Sequence, residues 1–305
     1  MKIAVMGAGG IGGYVGGRLA EAGEEVHFIA RGRHLEALKA RGLRVESPLG
    51  DAVLADIHAT DDPAEIGPVD LVLFAVKLAD TDAAAASLAP LVGPQTRIVT
   101  LQNGIDSADM IARHVPRDQI AAGIIFIAVQ IKEPGVISHP GGMHRMTVDA
   151  MGGDAIMAAF FAACDRAVGI EAMPTDEPER TVWRKFIALV AFSGVTAITR
   201  LPVGATYANP DTLAFMRQLL DENIAVANAC RQDFGPGDAE DIVKLFASQP
   251  GDQKSSMLID LENGKPLELP WLSGRVHQLG KELGIATPAN SAVWAALCPH
   301  VNGAP

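Results

Sequence analysis

The fold of the first half of the chain is decided by residues 2–12, which read KIAVMGAGGIG. A short β-branched strand runs directly into a glycine turn, and residues 11–22 then carry the small and apolar side chains of a helix that packs on a sheet. Residues 25–30 restore an extended pattern, which completes a βαβ unit of about 30 residues with the usual right-handed crossover. The sequence therefore predicts a parallel α/β fold.

The same alternation continues beyond this unit. Further strands are predicted at residues 43–46, 53–57, 70–76, 97–101 and 120–129. Helix-like stretches at 79–91 and 106–114 lie between them, as in an open parallel sheet. Residues 136–148, with the Pro140-Gly141-Gly142 turn, are predicted as an appended hairpin.

The pattern changes near residue 176. From there the periodicity is helical, at residues 176–199, 209–233, 238–248, 270–284 and 289–297. The proline-bounded segment 174–178 is the predicted linker, with a helix starting near Glu177. The sequence thus predicts an α/β domain over 1–175 and an all-helical domain over 176–305.

Composition excludes several classes of protein. The chain of 305 residues has 25 Lys plus Arg against 36 Asp plus Glu, a net charge of −11, which argues against nucleic acid as a partner. The apolar N-terminal run is too short for a signal peptide, and the nearly uncharged runs 121–131 and 186–198 are shorter than the roughly 18–20 residues of a membrane span. Three widely spaced cysteines, Cys164, Cys230 and Cys298, fit reduced thiols in a cytoplasmic protein.

The glycine turn matches the dinucleotide-binding fingerprint GxGxxG. The first glycine permits the tight turn, the second lets the backbone approach a diphosphate, and the third lets the helix close on the strand. A glycine-rich turn in a generic α/β fold is the alternative, but the position between strand and helix favours a cofactor. The predicted cofactor residues of the loop are Gly7, Ala8, Gly9, Gly10, Ile11 and Gly12.

The residue after the second strand predicts which cofactor binds. An NAD enzyme presents Asp or Glu to the ribose hydroxyls there, whereas this chain has Arg31. A guanidinium pairs with a 2′-phosphate, so NADP(H) is favoured over NAD. The alternative is that Arg31 and Arg33 are ordinary solvated arginines.

Polar residues follow two other strands. Lys77 comes after residues 70–76 and Asn103 comes after residues 97–101. Ligands collect at the carboxyl ends of strands in open α/β sheets, so both side chains are predicted to face the cofactor. Each is also compatible with a plain strand terminus, and Asn103-Gly104 makes a good turn.

The helical half offers a candidate acid. Lys185 stands at the start of an apolar helical segment and shares one helix face with Leu189 and Ser193. A lysine on a buried face needs a partner or a lowered pKa, and both suit an acid that protonates a carbonyl. The alternative is a lysine whose charged end reaches solvent at the helix flank.

A third polar cluster comprises Gln253, Ser255, Ser256 and Glu268, which taken alone read as surface residues. The eight histidines show no metal-binding spacing, and no GxSxG hydrolase motif is present. We therefore predict no metal site.

Together these segments resemble the ketopantoate reductase (2-dehydropantoate 2-reductase) family over nearly the whole chain. The resemblance rests on the glycine loop with Arg31 and Lys77, on LQNG at 101–104, WRK at 183–185, and SSML at 255–258 followed by Glu268. It implies a Rossmann domain followed by a helical domain, with NADPH and substrate in the cleft between them. The implied activity is NADPH-dependent reduction of ketopantoate to pantoate in pantothenate biosynthesis, and the helical domain is the implied homodimer surface.

The resemblance also implies roles for individual residues. Lys185 would be the general acid, Lys77 and Asn103 would line the cofactor, and Asn103 would also face the substrate. Ser256 would bind the substrate carboxylate, and Glu268 would contact the substrate hydroxyl or the cofactor.

The chain departs from the family where the substrate would bind. Asparagines one and two turns after the lysine are replaced by Leu189 and Ser193, a third is replaced near 203–204, and the one before SSM appears as Gln253. The predicted substrate residues are therefore Asn103, Leu189, Ser193, Gln253 and Ser256. Three hypotheses follow: a ketopantoate reductase, a relative that acts on another 2-oxo or hydroxy acid, and a cofactor-binding sensor without turnover.

Overall fold

The structure, a computed structural model, describes residues 1–304. The chain forms two compact units, Met1–Val182 and Trp183–Pro305. Among the described residues, every strand lies in the first unit, and the second is built of helices joined by turns. The predicted order of an α/β domain followed by an all-helical domain is thus confirmed.

The strands of the first unit form two sheets. In chain order they are β1 Lys2–Met6, β2 Glu25–Ile29, β3 Leu43–Glu46, β4 Ala52–Leu54, β5 His58–Thr60, β6 Leu71–Phe74, β7 Arg97–Thr100, β8 Ile120–Ile127, β9 Gln130–Glu133, β10 Val136–Ser138, β11 His144–Asp149 and β12 Glu171–Thr175. The main sheet has the order β12-β11-β8-β7-β6-β1-β2-β5, and the small sheet has the order β4-β3-β10-β9.

The part of the main sheet from β8 to β5 is parallel throughout, as the βαβ pattern predicts. Strand β11 then runs antiparallel to β8, and β12 pairs parallel with β11 at the edge. In the small sheet, β3 pairs parallel with β10, while β4 and β9 are antiparallel edge strands. The carboxyl ends of β1, β2, β6 and β7 consequently lie along one edge of the main sheet.

Helices cover both faces of this sheet. They are α1 Gly10–Glu21, α2 Gly32–Arg41, α3 Thr81–Ala86, α4 Ser107–Ile111 and α5 Ala155–Arg166. Ile3 and Val5 of β1 belong to the core formed with α1 and α5, whereas Ala4 and Met6 belong to the core formed with α3 and α4. Burial of both faces explains why β1 reads as a continuous apolar run.

The second unit is a helical assembly. Its helices are α6 Pro178–Thr199, which begins in the first unit, α7 Val203–Ala208, α8 Pro210–Ala229, α9 Pro236–Ala247, α10 Ser256–Glu262, α11 Ser273–Leu283 and α12 Pro288–Leu297. The buried Glu222 carboxylate of α8 accepts hydrogen bonds from the backbone N–H of Ala289 (2.7 Å) and of Asn290 (2.9 Å) and from the Asn290 amide (2.8 Å). Asn223 donates to the Ile187 carbonyl at 3.0 Å, so this buried network joins α6, α8 and α12.

Helix α6 alone among the described helices has the length and composition to cross a membrane. In this protein 67% of its most apolar window is buried, as in the core helix of a globular unit.

Several sequence predictions are wrong in their local detail. The hairpin predicted at 136–148 does not exist, because β10 and β11 belong to different sheets; β10 pairs with β9 instead, through the turn at Gly135. The strand predicted at 53–57 is also wrong, because β4 ends at Leu54 in the small sheet and β5 begins only at His58, in the main sheet. The helix predicted at 79–91 is reduced to α3 between two 3₁₀ turns.

The predicted linker is also shorter than expected. Pro174 lies in β12, where it is tolerated because an edge strand bonds on one side only. No helix was predicted from the sequence at α2, α5, α7 or α10. Helices α7 and α10, of six and seven residues, are too short for helical periodicity to be recognised.

Candidate active site

The glycine loop forms a tight turn between β1 and α1. Gly7 has φ +94°, and the N–H groups of Gly7 and Ala8 both donate to the Ile29 carbonyl, at 3.2 and 2.9 Å. A Cβ on Gly12 would lie 2.1 Å from the Gly7 carbonyl oxygen. Glycine at positions 7 and 12 is therefore required by the backbone itself.

The N-terminus of α1 has the features of an anion site. Gly9 precedes the helix without a side-chain cap, and the first turn contains no acidic residue. A Cβ on Gly9 would meet nothing within 4 Å, so the space over it is open, whereas a Cβ on Gly10 would approach the Val129 carbonyl at 2.9 Å. Open space and uncapped N–H groups fit the diphosphate of a dinucleotide. In the same loop Ala8 is buried and Ile11 is half-buried.

Arg31 immediately precedes α2, two residues after β2 ends. Arg31 and Arg33 are both exposed, and the first turn of α2 holds no acidic residue. Since β2 lies beside β1, this cationic segment follows the strand next to the glycine loop. A 2′-phosphate suits this donor set better than a free ribose diol does.

Lys77 and Asn103 follow the neighbouring strands β6 and β7, so they lie at the same edge of the sheet. Lys77 is exposed and Asn103 is half-buried. Between them, the amide of the buried Gln102 donates to the Val76 carbonyl at 2.9 Å and to the Thr81 hydroxyl at 2.8 Å. Gln102, for which the sequence alone indicates no role, therefore connects the two strand ends that carry the candidate side chains.

Lys185 lies in the second turn of α6, and its side chain is buried in the second unit, 8% exposed. Burial lowers the pKa of its ammonium from the ordinary 10.5 to about 8, and the nearby Glu268 carboxylate opposes that change. The structure thus brings together two predicted site residues that are far apart in the sequence. A cation with such a pKa gives up its proton readily near neutral pH.

The face of α6 that carries Lys185 continues with one apolar and one polar side chain. Leu189, one turn after Lys185, is half-buried and apolar. Ser193, one turn further, is fully buried, and its hydroxyl has no hydrogen-bond partner among the described residues. A buried hydroxyl without a partner is uncommon, and an ordered water molecule or a bound ligand is the usual explanation.

Residues 253–256 run beside the C-terminal half of α6. The Gln253 carbonyl accepts from the Val203 N–H at 2.9 Å, and the Thr196 hydroxyl donates to the Ser255 hydroxyl at 2.8 Å. The side-chain oxygen of Gln253 is buried with no partner in the described part of the chain. Ser256 is exposed on the first turn of α10, so Ser255, which also caps that helix, is the serine in contact with α6.

The candidate residues therefore form two groups. In the first unit the group consists of the glycine loop, Arg31, Lys77 and Asn103. In the second unit it consists of Lys185, Leu189, Ser193, Gln253 and Glu268, together with Ser256, which is exposed. Within residues 1–304 no cluster of three or more His, Cys, Asp or Glu side chains is arranged to hold a metal.

Family comparisons cover both units. The family described as "Ketopantoate reductase PanE/ApbA" matches residues 3–153, and "Ketopantoate reductase PanE/ApbA C terminal" matches residues 178–300. A 2-dehydropantoate 2-reductase from Mesorhizobium japonicum is 30% identical over 97% of this chain and 96% of its own.

Solved structures agree with this match. A PanE/ApbA family ketopantoate reductase from Ralstonia eutropha is 34% identical and superposes with a TM-score of 0.89, covering 99% of this chain and 98% of the other. A D-mandelate dehydrogenase solved with NADH and anilino(oxo)acetate shares the fold, with a TM-score of 0.88 at 22% identity over 99% of this chain and 98% of that one.

Proposed function

The chain belongs to the ketopantoate reductase family of oxidoreductases, and on that premise we propose that it reduces 2-dehydropantoate (ketopantoate) to pantoate with NADPH, in pantothenate biosynthesis. The observation that carries this proposal is Lys185, a buried ammonium with a pKa of about 8 beside Glu268. We assign residues 1–175 to cofactor binding and residues 176–305 to substrate binding and proton donation.

The first unit fits the cofactor. The N-terminus of α1 would hold the diphosphate, Arg31 the 2′-phosphate, and Lys77 and Asn103 the nicotinamide side. When bound, the nicotinamide supplies a hydride. The loop and the strand ends would hold it in one orientation, which removes much of the entropic cost of bringing the reactants together.

Lys185 supplies the proton. As the C2 carbonyl is reduced, negative charge develops on its oxygen, and the Lys185 ammonium donates a proton to that oxygen to give the alcohol. The neutral amine that remains takes a proton from solvent before the next turnover. Glu268 keeps the ammonium form populated, because its negative charge favours the cation.

The test is the rate of NADPH oxidation with ketopantoate. We expect turnover in the wild type and a loss of roughly a hundredfold or more in Lys185→Ala. A wild-type rate no better than that of the variant would refute the proposal. Repeating the assay with NADH tests the preference assigned to Arg31.

A second candidate function is the same chemistry on a different 2-oxo acid or hydroxy acid. It is favoured by Leu189, an apolar side chain one turn from the acid, where an amide would bond a substrate hydroxyl. A site without that amide discriminates poorly in favour of a hydroxyl-bearing substrate. A panel of 2-oxo and 2-hydroxy acids decides between them. If ketopantoate is the substrate, it should be the acid that the wild type turns over fastest, and it should remain so in Leu189→Asn. If the wild type clearly prefers an apolar acid, ketopantoate reduction is refuted in favour of this second function.

We further propose a cytoplasmic homodimer. All three cysteines are free, as in a reducing compartment, and the homodimer rests on the resemblance to the family. Sedimentation equilibrium measures the assembly, and a monomer at micromolar concentration would contradict the dimer.

A further inference from the structure

His34 lies in the first turn of α2, and none of the roles assigned above involves it. Its Nδ1 accepts a hydrogen bond from the backbone N–H of Gly135 at 3.2 Å. A neutral ring that accepts at Nδ1 carries its proton on Nε2. That Nε2 is buried and has no partner of ordinary hydrogen-bond geometry among the described residues.

The polar group that faces this ring from the other side belongs to the glycine loop. Burial lowers the pKa of His34, and the backbone of Ala8 opposes the change by favouring the protonated ring, as a carbonyl near an N–H does. Ala8 is itself 2% exposed. The imidazole therefore stands between α2 and the backbone that would hold the diphosphate.

The turn at Gly135 is also held by hydrogen bonds that do not involve His34. The Gly135 carbonyl accepts from the Arg44 N–H at 2.9 Å, and the Pro134 carbonyl accepts from the Arg41 guanidinium at 3.1 Å. Two other bonds thus already fix this turn beside α2. The contribution that is particular to His34 is the buried N–H directed at the loop.

We propose that His34 is a positioning residue for the cofactor, which sets the spacing between the N-terminus of α2, where Arg31 stands, and the glycine loop at Ala8. The inference rests on the proposed binding of NADPH. A buried ring N–H that loses its acceptor costs free energy, so the ring favours the loop position in which the Ala8 backbone lies close to it. The ring acts on the loop and α2, and through them on the diphosphate and the 2′-phosphate.

Three variants separate the effects of the two ring nitrogens of His34. His34→Phe keeps a ring and removes both nitrogens. His34→Asn keeps an acceptor near the Nδ1 position, and His34→Gln places an amide N–H near the Nε2 position. The control is His58→Phe, an exposed histidine on the edge strand β5.

The measurements are the Kd of NADPH by calorimetry, kcat at saturating NADPH, and the melting temperature without cofactor. We expect His34→Phe and His34→Asn to weaken NADPH binding roughly threefold to tenfold, with kcat unchanged. His34→Gln should recover most of the affinity, and His58→Phe should bind as the wild type does. In an Arg31→Ala background the effect of His34→Phe on the Kd of NADPH should be smaller. The reason is that His34 acts partly by positioning Arg31, which that background lacks.

Two results would overturn the inference, and they are distinguishable. If wild type binds NADPH and His34→Phe or His34→Asn binds it equally well, His34 has no positioning role and the proposed cofactor stands. If the wild type binds no nicotinamide dinucleotide, the proposed cofactor and this inference fail together. If His34→Phe does not fold, the contrast between His34→Gln and His34→Asn decides, and equal affinities for those two refute the role of the N–H directed at Ala8.

Discussion

Replacing Lys185 by methionine should stabilise the second unit while it abolishes activity. The side chain is 8% exposed, so the ammonium has lost nearly all of its water. Methionine has a similar length and an apolar end, and it removes the buried charge without opening a large cavity. Active-site residues often lower the stability of the folded protein, so removing one can raise the free energy of unfolding.

The magnitude follows from the pKa. Its fall from 10.5 to about 8 corresponds to a destabilisation of about 3 kcal/mol, at about 1.36 kcal/mol per pKa unit. Below pH 8 the amine is protonated in the folded and in the unfolded protein, so the full penalty is present. Between about pH 8 and pH 10.5 the unfolded chain binds more protons than the folded one, so wild-type stability rises with pH.

We therefore expect Lys185→Met to raise the free energy of unfolding at pH 7 by about 1–3 kcal/mol. The lower end of this range allows for the cost to Glu268, whose carboxylate loses the nearby cation that it has in the wild type. The advantage of the variant should narrow at pH 9.5, where the folded wild type is mostly neutral at this position. Reductase activity should fall by roughly a hundredfold or more.

Urea unfolding followed by tryptophan fluorescence suits this test. The three tryptophans, Trp183, Trp271 and Trp294, all lie in the second unit, so the signal reports the unit that contains Lys185. Lys281→Met, at an exposed lysine of α11, is the matched control and should change stability little at either pH. If Lys185→Met unfolds at a lower urea concentration than the wild type at pH 7, or if the difference between them does not depend on pH, the reasoning is refuted.

Four further predictions test other parts of the protein. Arg31→Ala should weaken NADPH binding roughly tenfold or more and leave NADH binding unchanged, measured by calorimetry, because a charge-assisted bond contributes about 1.5–3 kcal/mol; an equal loss for both cofactors would contradict it. Gly12→Ala should lose cofactor binding and lower the melting temperature, because its Cβ would lie 2.1 Å from a loop carbonyl oxygen. Gly9→Ala has open space around its Cβ and should lose cofactor binding without a change in melting temperature. A lower melting temperature for Gly9→Ala would contradict the described loop geometry. Glu222→Ala should cost the second unit about 3 kcal/mol by tryptophan fluorescence, since three N–H donors lose their acceptor; a loss below about 1 kcal/mol would show that solvent replaces it. The rate of 2-oxo acid reduction at saturating NADPH should fall as the pH rises through about 8, because Lys185 then loses the proton that it donates, and a rate that is flat from pH 7 to 9 would exclude it as the acid.

The sequence predicted those parts of the fold that local patterns determine. The βαβ unit from Lys2 to Ile29 is readable because its strands are buried on both faces and its turn needs glycine at defined positions. The long helices of the second unit are readable because their apolar spacing persists over many turns. Both signals arise within a short stretch of chain.

The predictions that failed concern residues whose contacts are with elements distant in the sequence. Nothing near residues 136–148 shows that β10 pairs with β3 and β11 with β8, so a proline-glycine turn between two extended runs was interpreted as a hairpin. A lysine at the start of an apolar helix segment is compatible with burial and, more commonly, with a charged end that reaches solvent. Burial of Lys185 and the nearness of the Glu268 carboxylate result from packing of helices that the sequence alone does not place.

The small sheet affects how this chain is made. Strand β3 is completed early in synthesis, yet its parallel partner β10 emerges much later; the Ser47 and His139 side chains that meet beside them are 92 residues apart. At roughly 5–20 residues per second on the ribosome, β3 and β4 wait several seconds or more without that partner. During this interval the backbone edge of β3 that later bonds to β10 has no partner strand. The small sheet is therefore a segment at which we expect a ribosome-associated chaperone to bind the growing protein, and slow translation would prolong the time for which its edge is unpaired.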